Sequence, residues 1–149
     1  KSIYNRFVST FIAEINSKIL QENEKNDALF SYIWESAVKL NSTKKKDLNF
    51  ALKYMINLCK PLGFFPSISE IKNPFFELEK GVFIQNITVS KTCLDKKKSD
   101  YLKALLKNEK IIIPQKEKSE LLKNLLHYYK LHYYNLDSVK SHLILENLR

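Results

Sequence analysis

Among the side chains of this 149-residue chain whose types could act on a substrate are His127 and His132, Cys59 and Cys93, and serines such as Ser31, Ser36 and Ser119. Catalysis needs such groups to converge, as a nucleophile with its base, as two carboxylates in different surroundings, or as metal ligands. Their spacing argues against each. His127 and His132 lie five residues apart in a helical pattern and point to different sides of it, His127 on a lysine-bearing face and His132 near the edge of the apolar one. Each reads as a structural or solvated histidine. The cysteines form no CxxC and meet no histidine pair at finger spacing, so both are expected reduced and zinc-free. Cys59 falls on an apolar helical face, where a thiol is inert packing. The serines have no elbow glycines around them, and two glycines in the whole chain leave little material for a phosphate loop. No enzyme activity, cofactor, metal or small-molecule substrate is expected.

Binding chemistry is better supplied. Lys+Arg of 25 against Asp+Glu of 16 gives a formal charge of +9, which suits a polyanion or an acidic peptide. Since 23 of those cations are lysines, a lysine-rich proteome is the alternative explanation. The triplets Lys44-Lys45-Lys46 and Lys96-Lys97-Lys98, with the spaced Lys116, Lys118, Lys123 and Lys130, could track phosphates, with affinity falling steeply as salt rises. Unpaired bases could stack on tyrosines. Tyr129 and Tyr133 fall on a buried stripe, which leaves Tyr128, Tyr134, Tyr101 and Tyr54 as candidates.

These groups must be carried mainly by helices, because glycine and proline are scarce and 44% hydrophobic residues suffice for one compact core. The stretch Glu117 to Asn135 places Leu122, Leu125, Leu126, Tyr129 and Tyr133 on one side of a helix and Glu120, Lys123, His127 and Lys130 on the other. The rest of the chain reads as packed around it. Ile3 to Leu20 is a helix facing inward through Tyr4, Phe7, Phe11, Ile15 and Ile19. Asp27 should cap a second, with Phe30, Ile33, Trp34, Ala37 and Val38 as its core face, and Thr43 a third from Lys44 to Leu62 that buries Leu48, Ala51, Leu52, Met55, Ile56 and Cys59. Gly63 suits the left-handed position after that helix. Phe75 to Leu78 and Val82 to Ile84 bracket Glu79-Lys80-Gly81 as a small hairpin that must lean on the helices. Asp95 to Lys98 reads as a solvated face or loop, and Ser99 as the start of a short helix through Leu106. Ile111 to Pro114 should be extended, and Ser141 should cap a last turn from His142 to Leu148. The chain opens on Lys1-Ser2, without methionine, directly into a helical pattern, which suggests an excised domain or a processed one. No secretory segment and no uninterrupted apolar run of about 18 residues occurs, so an intracellular place and no membrane partner are expected.

Three pieces in order, Leu62-Gly63-Phe64-Phe65-Pro66, the hairpin Phe75 to Phe83, and the run from Leu121 to His132, resemble the C-terminal region of RecO, the bacterial recombination mediator. The resemblance covers nearly the whole chain. It implies a mainly α, bundle-like domain with a small β-hairpin, residues 1–149, without the N-terminal OB-fold of that family. Many members carry a four-cysteine zinc module after the LG-x-x-P segment; Ile68 to Phe83 contains no cysteine, so zinc should be absent. By the same resemblance the domain is a cytoplasmic, nucleoid-associated, non-enzymatic DNA-repair adaptor. Its partners would be single- and double-stranded DNA, RecR and the acidic, phenylalanine-ending tail of single-strand binding protein, in support of RecA loading and strand annealing. A peptide of that kind wants an apolar pocket rimmed by cations, for which Lys123, Lys130 and Lys140 are the choices because they flank the most motif-like helix. The first rival is a protein-binding scaffold without DNA contact. A phosphoryl-transfer enzyme, the second, would need carboxylates clustered near a cation.

Overall fold

The computed structural model describes residues 3–23, 25–42, 47–87 and 91–140. Among them the elements are α1 (Ile3–Gln21), α2 (Asp27–Ser42), α3 (Phe50–Leu62), β1 (Phe75–Glu77), β2 (Val82–Ile84), α4 (Lys96–Leu106) and α5 (Gln115–Leu131). The domain is mainly α with one antiparallel hairpin, as expected. Its hub, however, is α3 rather than α5: α3 touches α1, α2, α4 and α5. The reason is compositional, since Ala51, Leu52, Tyr54, Met55, Ile56, Leu58 and Cys59 go around most of the helix, so it can be buried on several sides.

α1 presents Phe7, Val8, Phe11, Ile12, Ile15 and Ile19 to the core, at the spacing its sequence shows; Tyr4 lies outside the described side chains. α2 is rotated from expectation. Leu29 is fully buried with Tyr32, Ile33 and Leu40 packed beside it, whereas Phe30, Trp34 and Val38 are 43%, 73% and 50% exposed. Tyr32 decides the rotation, because its hydroxyl donates to Tyr54 O at 3.0 Å and its ring stacks on Tyr54 at 5.2 Å. The cap is Asn26, whose Oδ1 accepts from Leu29 N at 3.0 Å, rather than Asp27.

α3 begins at Phe50, six residues later than expected. Asp47 Oδ1 accepts from Asn49 N at 2.9 Å, and Asn49 Nδ2 donates to Ile111 O at 2.8 Å, so both side chains hold a turn in place of helix. Leu48, expected inside, is 50% exposed. The expected Thr43 cap and Lys44-Lys45-Lys46 lie outside the described residues. Gly63 ends the helix at φ 95°, with its N–H on Cys59 O, as a left-handed cap.

The hairpin pairs Phe75 with Ile84, Phe76 with Phe83 and Glu77 with Val82. It leans on the helices through buried Phe76, Leu78 and Phe83, and also on residues 92–94: Leu78 N donates to Thr92 O and Leu94 N to Phe76 O, both at 2.9 Å. Glu77, 5% exposed, holds the turn by accepting from Glu79 N, Lys80 N and Thr92 Oγ1. Gly81 sits at φ 69°, and a Cβ there would stand 2.9 Å from Tyr128 Oη.

α4 starts at Lys96 because Asp95 Oδ1 accepts from Lys98 N at 2.8 Å, so the lysine triplet is the first turn of a helix and Ser99 lies inside it. Ser99 Oγ instead accepts from Phe76 N at 2.9 Å and ties α4 to the hairpin. α5 stops at Leu131. Tyr133 turns left-handed at φ 78° and is 91% exposed, not buried. The stripe facing inward is Leu121, Leu122, Leu125, Tyr128 and Tyr129. Residues 111–114 form neither helix nor strand, Pro114 itself standing at φ −55° and ψ 145°, and the expected turn from Ser141 lies outside the described residues.

Candidate acidic-peptide and nucleic-acid interface

The exposed face of α5 carries Lys123, His127 and Lys130 at helical steps, and Lys140 reaches the same place from the segment after the helix. That approach needs the chain to double back. The reversal at Tyr133 sends it over α5, where buried Leu136 and Val139 fasten it. The three lysines then line one depression of about 440 Å³ together with Leu126, Leu136 and Val139. Lys130 Nζ meets Asp137 Oδ2 at 2.9 Å, with both side chains about half or more exposed. Among the described lining residues three are lysines and one is an aspartate, so the formal charge of the lining is positive.

The other sequence-predicted cations are placed differently. Lys96 Nζ pairs with Asp100 at 2.8 Å, Lys97 with Glu117, and Lys98 with Glu120 at 3.1 Å and Asp95 at 3.3 Å. The contacts of Lys97 with Glu117 and of Lys98 with Glu120 strap α4 to α5, whereas those with Asp100 and Asp95 stay within α4 and its cap. The hydrogen bond and charge of Glu117 raise the Lys97 pKa, while Glu117 is held below the usual carboxylate range by Lys97 and by the Tyr101 hydroxyl. The Lys98 backbone N–H, the largest influence, and its ammonium likewise lower Asp95. Lys118, expected to meet phosphates, is 6% exposed and donates to Leu48 O at 2.7 Å.

None of the four tyrosines proposed for stacking is a free platform. Tyr54 and Tyr128 are buried, Tyr101 is bonded to Glu117, and Tyr134 pairs with Asn23 and lies 5.7 Å from the Phe64 ring. Burial raises the pKa of Tyr54 and Tyr128. His132 is structural: Nε2 lies 3.0 Å from Leu78 O and its ring stacks on Phe64 at 5.2 Å. Burial also pushes the Cys59 thiol up to about 12, consistent with inert packing. Among the described residues no three His, Cys, Asp or Glu side chains come together as metal donors, and no helix is long and apolar enough to cross a membrane.

A second depression, of about 500 Å³, was not visible in the sequence. It lies between α2, α3 and the end of α4, where Lys39, Lys53 and Lys60 surround Tyr32, Phe50 and Tyr54. Lys53 is engaged by Asp47 at 3.1 Å, and Glu35 also lines the cavity, so the net charge is weaker than beside α5. The only signal was the recurrence of lysines and aromatics on two helices, and it required their docking to be read.

The family model described as Recombination protein O C terminal matches residues 3–141. The chain belongs to the RecO family. It is 36% identical over 144 residues to the DNA repair protein RecO of Flavobacterium psychrophilum, covering 93% of this chain and 58% of that protein. With the DNA repair protein RecO of Christiangramia forsetii it shares 33% identity over 143 residues, 93% of this chain and 59% of that one. The corresponding protein of Flavobacterium johnsoniae is 30% identical over 150 residues, 98% and 62% respectively. The chain thus spans about three fifths of the RecO proteins it matches. No solved structure matches it.

Proposed function

We propose that this chain is the part of a bacterial RecO protein that works as a non-enzymatic mediator domain in DNA repair and homologous recombination. In this reading it contacts single- and double-stranded DNA and partner proteins, RecR and the acidic tail of single-strand binding protein, to assist RecA loading and strand annealing in the cytoplasm at the nucleoid. The observation that carries the peptide part is the meeting of Lys123, Lys130 and Lys140 in one depression. Ammonium groups steer and hold the carboxylates, and Leu126, the partly exposed apolar side chain of the lining, offers contact to a terminal aromatic ring. Fluorescence anisotropy with a labelled peptide carrying several aspartates and a C-terminal phenylalanine tests it. Lys123→Glu with Lys130→Glu should weaken capture by about tenfold or more without changing the thermal melt, and unchanged capture rejects the site.

A second reading, a protein-binding scaffold without nucleic-acid contact, is favoured by the ion pairs that engage Lys96, Lys97 and Lys98. Absence of oligonucleotide binding even at low salt would select it. Binding that falls steeply with added salt supports the DNA-contacting reading.

A further inference from the structure

We propose that Asp137 is a resident competitor within the α5 depression, occupying Lys130 until a polyacidic peptide displaces it and thereby setting how acidic a ligand must be. The inference rests on the acidic-peptide reading above. Its ground is the way the carboxylate is held. Asp137 N donates to Asn135 Oδ1 at 2.8 Å, and Val139 N donates to Leu136 O at 3.0 Å. Leu136 precedes Asp137 and Val139 follows two residues on, both buried. The carboxylate is therefore carried on a turn pinned on both sides and delivered 2.9 Å from Lys130 Nζ. Lys130 occupies the last turn of α5, where the helix dipole favours a cation whichever carboxylate it meets.

Exposed ion pairs of this kind add little to folding stability. An incoming carboxylate can thus replace Asp137 with little effect on the fold. It must still win the exchange. A ligand with one carboxylate gains at Lys130 only what Asp137 already provides, whereas a ligand with several also meets Lys123 and Lys140. The pair therefore discriminates against weakly acidic peptides and leaves polyacidic ones bound.

The test uses the same labelled peptide, and a second one with a single aspartate, against the whole protein at low salt. Asp137→Asn and Asp137→Ser should each tighten the polyacidic peptide by about twofold to fivefold and the single-aspartate peptide by at least the same factor. The gain should shrink toward none as salt is raised. Asp100→Asn changes the net charge equally from outside the depression, and it should have no comparable effect. Unchanged affinity in the Asp137 variants, or an equal gain in Asp100→Asn, overturns the proposal. If Lys123→Glu with Lys130→Glu abolishes capture while the Asp137 variants bind as the parent does, Asp137 is no competitor and the peptide site stands. If the double lysine reversal also changes nothing, the site reading fails and the competitor with it. A duplex oligonucleotide that gains as much as the peptide would make this a phosphate site and overturn the peptide assignment.

Discussion

On α5 the rings of Tyr128 and Tyr129 are 1% and 0% exposed, whereas on α2 Trp34 stands 73% in solvent and Phe30 43%. Both helices carry aromatic residues at helical spacing, and periodicity alone would bury Phe30, Trp34 and Tyr129 while leaving Tyr128 at the surface. The difference lies in what waits opposite. Tyr129 donates to Met55 O at 2.6 Å and Tyr128 to Phe64 O, while the Phe64 ring packs edge-on to Tyr129 at 5.1 Å. On α2 it is Tyr32 that finds a carbonyl, and its pairing turns Trp34 outward. A ring with a hydroxyl is drawn to an available carbonyl, because the buried polar atom is then satisfied.

The sharpest attempt to break this contrast is a pair of truncations followed by urea unfolding. Tyr129→Ala should cost about 3–5 kcal/mol, the range for removing a large buried ring, whereas Trp34→Ala should stay within about 0.5 kcal/mol. Comparable losses would show that α2 is packed through Trp34 after all. Gly81→Ala acts on the same Tyr128 environment from the hairpin. The added methyl meets Tyr128 Oη at a backbone angle that disfavours it, so a loss of about 1–3 kcal/mol is expected in the same assay. The smallest effect concerns the acidic cap of α4 and the strap from that helix to α5. Asp95 and Glu117 have folded-state pKa values below their unfolded ones. Their stabilisation is present above the unfolded carboxylate range, near about pH 4, and is lost as pH falls through the folded values. Melting followed from pH 6 to pH 3 should show a modest acid-side decline that Asp95→Asn, which keeps a capping oxygen, partly flattens.

Much of the fold was legible because it is local. The inward face of α1, the glycine stop at Gly63 and the hairpin between Phe75 and Ile84 depend on neighbours within a few residues. The start of α3 was misplaced because Asp47 and Asn49 bond to backbone groups, one of them at Ile111, far along the chain. On α5, the doublets Leu121-Leu122, Leu125-Leu126 and Tyr128-Tyr129 support two adjacent stripes equally, and only the carbonyls of Met55 and Phe64 choose between them. The candidate site divides the same way. Lys123 and Lys130 share a face by spacing, but Lys140 joins them only through the left-handed turn at Tyr133 and the anchors Leu136 and Val139.

By itself the amino-acid sequence determined a lysine-rich helical domain, its hairpin and its resemblance to RecO, since charge, period and turn chemistry are properties of short segments. The tertiary structure alone decided which aromatic rings are inside, which lysines are already engaged, and that Asp137 stands against Lys130. Most of these are relations between segments distant along the chain, and even Lys130 and Asp137, seven residues apart, meet only because the chain reverses after α5.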